Sequence, residues 1–437
     1  MKNYRKLVPL VLVIFMAVSW YLLVSEAVET EKEYTSYLSA ARKNAEATLT
    51  KEAIRNYNSA LKIRDEADIY VEVAEYYKNQ QDTASYLSWC ENFFETHPTE
   101  VKAFDCVLDA YYTQDDYASC FDILVTAQKR NITSDYMEKV AKEIEYVYKI
   151  DFHSFDDVGI YSSNYCAVKS GEYWGFVDRF GEQRISCRYL QVGCYTQANV
   201  VSVVNSLGEA YFLDKQGDKV MVSKEQYQSF GLFLGDMIAA KKEDDKYVYV
   251  DAEFQELFGN YDYASTMNYG VAAVLNGEDW FIIDTSGEKI TKTSFKDIKL
   301  DEKNVAFRNG CLFAMDTSGL YVMLDGEGKQ IGNQTYEDAR VFAGDSYTAV
   351  KIGERWGFVD NSGKVVIEPK YEEARSFSNG LAAVKMNGKW GFIDGAGSMK
   401  IEPQFFDAKD FNEKGSCFIN TGDKWQLLKL YRLNREG

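Results

Sequence analysis

A chain of 437 residues is long enough for two or three domains, and 46% hydrophobic with 27% charged residues is the balance of a folded protein. Four prolines argue against long disordered linkers, and a net charge of −18 disfavours a nucleic-acid backbone or an anionic lipid face as partner. Only two histidines occur, His97 and His153, which removes most histidine-based catalysis and metal ligation.

The chain begins with Lys2, Arg5 and Lys6, followed by an uncharged apolar run over residues 7–24 and then by Glu26, Glu29, Glu31 and Glu33. A run of 18 such positions approaches the thickness of a bilayer as a helix. The charge asymmetry predicts an N-in, C-out membrane anchor over residues 1–29, with the bulk of the chain outside the cytoplasm. A cleaved signal peptide ending near Ser25-Glu26-Ala27 is the alternative.

Over residues 30–150 the apolar spacing is helical. Ala53, Tyr57, Ala60 and Leu61 form one stripe, and similar stripes recur through Tyr86, Cys90 and Phe93 and through Cys120, Phe121 and Leu124. Partner helices are expected around 68–79 and 100–113, with a closing helix near 134–149. The repeat of about 34 residues resembles the tetratricopeptide family, which implies a concave surface for a peptide or protein. A plain helical spacer is the other reading.

From residue 151 to 437 the pattern changes to strands. Trp356-Gly357-Phe358-Val359-Asp360-x-x-Gly363 returns as Trp390-Gly391-Phe392-Ile393-Asp394-x-x-Gly397, and upstream as Trp174-Gly175-Phe176-Val177-Asp178-x-x-Gly181. Weaker copies centre on Asp214, Asp251, Asp284 (after Trp280) and Asp325, and an eighth begins at Trp425 with Lys429 at the Asp position. Each unit opens on a motif such as Tyr336-Glu-Asp-Ala339, Tyr371-Glu-Glu-Ala374 or Phe406-Asp407-Ala408. A small-apolar strand follows, then a tight turn such as Asn387-Gly388, then the Trp-Gly strand. About eight units of about 36 residues, each with at least three antiparallel strands, are therefore expected.

These residues resemble the WG-repeat (KWG) family, known chiefly as bacterial β-repeat proteins, over about 280 residues. The resemblance implies a β-rich repeat domain. The recurring Trp174, Trp280, Trp356, Trp390 and Trp425 read as core. Gly175, Gly357 and Gly391 read as points of close backbone approach by the next unit, and Asp178, Asp284, Asp360 and Asp394 as turn caps. Units that cannot bury their aromatic faces alone must stack, and a closed propeller-like ring, which removes exposed edges, is favoured over an open solenoid.

The predicted fold class is an α+β multidomain chain: an N-terminal transmembrane helix, a short α-helical array and a C-terminal all-β repeat array. No catalytic residue, cofactor or metal ligand stands out. The repeating carboxylates serve one turn position, and the Asp325-Gly-Glu327-Gly turn lacks the oxygen density of a calcium loop. Most of the eight cysteines read as small buried apolar residues, with Cys187 and Cys194 the first pair to test for a disulfide. The expected function is a membrane-anchored, surface-displayed binding or scaffold protein for a protein or cell-envelope polymer. A β-repeat glycan hydrolase or lectin-like carbohydrate binder is one alternative, and an envelope assembly or stress-sensing component another.

Overall fold

The structure, a computed structural model, describes residues 4–431, with side chains from residue 15 onward. It comprises two compact units, residues 1–145 and 146–437.

The first unit holds seven helices: α1 (Tyr4–Glu46), α2 (Thr50–Ile63), α3 (Ala67–Asn79), α4 (Thr83–Thr96), α5 (Val101–Tyr112), α6 (Tyr117–Lys129) and α7 (Asp135–Glu143). The starts of α4, α6 and α7 follow from side-chain caps. Asp82, Asp116 and Ser134 accept hydrogen bonds from the backbone N–H groups of Ser85, Ser119 and Met137. Tyr34 and Ala41 of α1 pack on Ala53, Tyr57 and Ala60 of α2, so the small residues read from the sequence do let two helices close together. Polar ties hold the same region: Arg42 forks onto Glu72 with both contacts at 2.8 Å, and the Tyr57 hydroxyl donates to Glu72 at 2.7 Å. Helices α2, α4 and α6 begin at residues 50, 83 and 117, which reproduces the period of about 34. The supported statement is the coarser one, a helical region of that period rather than tetratricopeptide repeats.

Two expectations are corrected here. Among the described residues no helix is long and apolar enough to cross a membrane, so the transmembrane helix expected over 7–24 is not supported. Residues 7–14 of that run lie outside those with described side chains. From residue 15 the helix continues without a break through Glu26, Glu29 and Glu31 to Glu46. The closing helix is also shorter than 134–149. It stops at Glu143, because Tyr148 is recruited into a strand of the second unit.

That second unit is an eight-bladed β-propeller. Eight antiparallel sheets follow one another: blade 1 (157–189), blade 2 (191–221), blade 3 (229–261), blade 4 (263–295), blade 5 (297–336), blade 6 (338–371), blade 7 (373–405) and blade 8 (407–430). Six have four strands. Blades 4 and 5 have three plus bridges, Trp280 to Phe295 and Tyr321 to Tyr336, at the place of the fourth.

Blade 8 explains the incomplete eighth copy. Its fourth strand is Tyr148–Phe155 from the start of the unit, paired antiparallel with Trp425–Leu430. Lys429, standing where other copies have Asp, reaches Asp151 of that strand at 3.1 Å, and Lys424 bonds Asp156. The ring is thus closed, and no blade ends the array on an unpaired sheet face.

Each pair of neighbouring blades shares one aromatic core. Trp390, Phe392 and Phe405 of blade 7 pack with Phe411, Ile419 and Leu428 of blade 8. Trp356, Phe358 and Tyr371 of blade 6 pack with Phe377, Val384 and Ile393 of blade 7. The closing contact joins Phe418, Trp425 and Leu427 of blade 8 to Val158, Val168 and Val177 of blade 1. The other five neighbouring pairs are built the same way. Burial of a large side chain contributes about 2–3 kcal/mol, so a blade stripped of its neighbours loses most of what holds it.

Acid should weaken the closure. Burial pushes the Asp151 carboxyl up, but hydrogen bonds from His153 and the Lys429 ammonium overcome this and hold it at about 2 instead of 3.8. A carboxyl depressed in the folded state stabilises fully above its unfolded value and loses that contribution as pH falls through the folded value. Thermal melts should therefore show Tm dropping between pH 5 and pH 2, with a shallower drop in Lys429→Met. An identical pH profile in that variant would refute a role for the pair.

Candidate functional site

The repeated residues fall on equivalent positions. Trp174, Trp356 and Trp390 are each the second residue of the third strand of their blade and pair with Tyr189, Tyr371 and Phe405. Trp280 faces Phe295 in the same manner. Trp356, Trp390 and Trp425 are buried, whereas Trp174 and Trp280 are half-buried.

Gly175, Gly357 and Gly391 lie opposite a bulge in the outer strand of their own blade. A Cβ on Gly391 would stand 2.4 Å from the Ile401 carbonyl oxygen, and one on Gly357 2.6 Å from that of Ile367. The close approach comes from within the unit and not from the next one, as the sequence reading had it. The reason is that Glu368-Pro369 and Glu402-Pro403 arch over the glycine.

The aspartates cap turns. One oxygen of Asp360 accepts from the N–H groups of Ser362 and Lys364 at 2.9 and 3.1 Å, and one of Asp394 from Ala396 and Ser398 at 3.0 and 2.9 Å. Asp178 and Asp284 do the same for residues 180 and 182 and residues 286 and 288. The glycine three residues on takes positive φ, +81° at Gly363, which a side chain would oppose. Cys187 and Cys194 are both free thiols. Among the described residues no group of three or more His, Cys, Asp or Glu is placed to hold a metal ion.

Sequence reasoning missed the charges on the inner strands. In blades 5 to 8 the inner strand is only two residues long, Asp297-Ile298, Asp338-Ala339, Glu373-Ala374 and Asp407-Ala408 in turn. The next residue is a cation, and it sits over the aromatic residue of its own blade. Arg340 lies 5.1 Å from the Trp356 ring centre, Arg375 5.9 Å from Trp390, Lys409 5.6 Å from Trp425 and Lys299 4.3 Å from Tyr321. The acid of the following blade receives it: Lys299 to Asp338 at 2.9 Å, Arg340 to Glu373 at 3.2 Å and Arg375 to Asp407 at 3.9 Å. The signal was present in the sequence as an acid-apolar-cation triplet, but it reads as ordinary surface charge until the blades are placed side by side.

These residues converge on the propeller axis. Glu302, in the long loop of blade 5, meets Arg375 of blade 7 at 2.8 Å and Lys409 of blade 8 at 3.0 Å, contacts that skip blade 6 and are possible only across the axis. Glu302 and Arg375, together with Asp301, Lys303, Arg308 and Asp410, line a cavity of ≈ 240 Å³. Small-molecule pockets commonly measure about 300–1,000 Å³, so this one suits a small group or a single side chain. Burial pushes the Asp410 carboxyl up, with Arg375 opposing. Burial also pushes Glu302 up, but Lys409 and Arg375 outweigh it and keep it below the usual carboxylate range. Arg375 Nε, Asp410 Oδ1 and Asn412 Nδ2 are sealed from solvent without a hydrogen-bond partner.

Eight blades closed by a strand from the start of the unit, around a charged axial cavity, define a β-propeller. The family described as "WG containing repeat" matches residues 356–390 and 390–425, so these units are WG-containing repeats. No curated protein matches it. Among solved structures, similarity extends to BamB from Moraxella catarrhalis, at 11% identity and TM-score 0.40 over 65% of this chain and 100% of that one. It extends also to a eukaryotic initiation factor, at 13% and 0.41 over 58% and 77% of the two chains. The WD40 β-propeller domain of Doa1 is similar at 13% and 0.32 over 63% and 97%. Likeness at these TM-scores carries no functional argument.

Proposed function

We propose that this chain is a non-enzymatic binding and scaffold protein whose propeller recognises a protein or envelope-polymer partner at the inner rim and axial cavity. The observation that carries this reading is the cavity itself. Non-adjacent blades fix it, and charged side chains of both signs line it, among them Glu302, Lys303, Arg308, Arg340, Glu373 and Arg375. A site held by eight interlocked blades is preorganised, which lowers the ordering cost of association. Carboxylates at the turn positions are committed to backbone N–H groups, so they serve the scaffold and not chemistry.

The test is capture from a source-cell extract by the immobilised full chain. Arg340→Glu and Glu373→Lys, checked for unchanged melting, should each reduce the retained partner at least fivefold, while Arg55→Glu on the helical unit should not. Equal retention by both rim variants would remove recognition from the inner rim.

Glycan hydrolysis is the second reading, and one observation favours it. Asp410 is pushed up and Glu302 held down within one cavity, the division that acid–base hydrolysis of sugars employs. It ranks lower because Lys409 bonds both oxygens of Glu302, and Arg375 bonds one of them. Release of reducing sugar by the full chain, abolished in Asp410→Asn, would reverse that order.

A further inference from the structure

The residue after the inner strand occupies the same place in each blade, as its backbone shows. Arg340, Arg375, Lys409 and Lys299 donate their N–H to Ala349, Ala383, Phe418 and Phe313, and Ser265 of blade 4 donates to Ala273 in the same way. Blade 4 keeps the aromatic partner, Trp280, but replaces the cation with a serine. Ser265 is fully buried, and its hydroxyl oxygen accepts from the Ala273 N–H at 2.8 Å, so it cannot reach the ring.

Where blades 5 to 8 place their own cation, blade 4 presents an open hollow of ≈ 380 Å³ lined by Trp280, Tyr263, Leu275, Asp262, Asp297 and Lys299. Two aromatic walls face it, with the Tyr263 and Trp280 ring centres 5.8 Å apart. The acid of the following blade is present too, since Asp297 stands where Asp338, Glu373 and Asp407 stand in blades 6 to 8. Lys299 is drawn toward Asp338 at 2.9 Å and lies 3.7 Å from Asp297 Oδ2, which also accepts from the Tyr321 hydroxyl, so the carboxylate keeps capacity on its other oxygen, Oδ1.

The other blades without a cation at this position differ. Blade 1 has Gly159 but covers Trp174 with Lys169 at 5.6 Å. Blade 2 has Gly193 and Ala210 in place of the aromatic residue. Blade 3 has Gly231, and its Tyr247 packs on Tyr263 at 5.2 Å.

We propose that this hollow binds a basic side chain, arginine or lysine, of a partner protein. The chain's own blades supply four templates for the bound geometry. A cation over an aromatic face contributes attraction that grows as the site is desolvated, and a carboxylate on the far side supplements it. A net charge of −18 steers basic partners toward the surface. The inference rests on the binding-module reading but assigns a different feature, so the two can fail separately.

The test uses the full chain labelled with 5-fluorotryptophan, the Trp280 resonance being assigned with Trp280→Phe, and titrated at low salt with acetyl-Gly-Arg-Gly-amide, its lysine analogue and its glutamine analogue. A saturable shift of Trp280 with the arginine or lysine peptide is expected, with the Trp390 signal, already covered by Arg375, unmoved. Asp297→Asn should weaken the response at least fivefold. Ser265→Arg should abolish it by supplying the cation internally, and if that variant does not fold, Asp297→Asn still decides. No shift of Trp280 with either basic peptide, or an equal shift with the glutamine peptide, overturns the proposal. Partner capture that survives Trp280→Leu with the basic peptides inactive would sink this inference alone and leave the inner-rim reading standing.

Discussion

Trp390→Ala is expected to lower propeller stability by about 3–5 kcal/mol, the cost of deleting a buried aromatic side chain and leaving its cavity. Trp390 is 4% exposed and sits where blade 7 meets blade 8, against Ile401, Phe405 and Phe411. Truncation also removes the ring that Arg375 covers, so a cation facing the axis loses one of its supports. Trp280→Ala is the internal comparison. That residue is half-buried and has no blade cation over it, so its loss should cost about 1–2 kcal/mol, nearer the transfer of part of a side chain. Urea midpoints followed by near-ultraviolet circular dichroism would separate the two. Equal midpoints, or a Trp390→Ala midpoint like that of the parent, would show that shared interfaces between blades do not hold the ring together.

That contrast also marks how far the sequence could be read. The period, the Trp-Gly strand and the Asp-x-x-Gly turn were legible because each unit solves the same local problem with the same residues. Asp360 and Asp394 cap their turns through identical contacts. Ring against solenoid is settled by the structure, where Tyr148–Phe155 pairs with Trp425–Leu430 as the last strand of blade 8.

The inner rim was not legible. Arg340, Arg375 and Lys409 look like solvated charges along the chain, and their pairing with Glu373, Asp407 and Glu302 exists only between blades. The apolar run at 7–24 misled for a related reason. Its composition suggested a separate membrane helix, whereas α1 runs on to Glu46, with Tyr34 and Ala41 packed against α2.

Gly391→Ala should destabilise the propeller by about 3 kcal/mol, at the upper end of what overpacking costs, although it adds a single methyl group. The three atoms nearest the new Cβ, at 2.4, 2.7 and 2.9 Å, are the Ile401 carbonyl oxygen, the Pro403 nitrogen and the Glu402 carbonyl carbon. All three are backbone, so no rotamer change relieves the clash, and the outer strand must lift away from Trp390 and Phe392, with which it pairs through Phe405 and Ile401. Gly388→Ala isolates the alternative cause. Its Cβ meets nothing within 4 Å, but its φ of +74° carries a left-handed penalty of about 1–2 kcal/mol. If Gly391→Ala proves no more damaging than Gly388→Ala, the glycine of the Trp-Gly pair is not there to admit the arch of its own outer strand. The recurrence of that pair in blades 1, 6 and 7 would then need another cause.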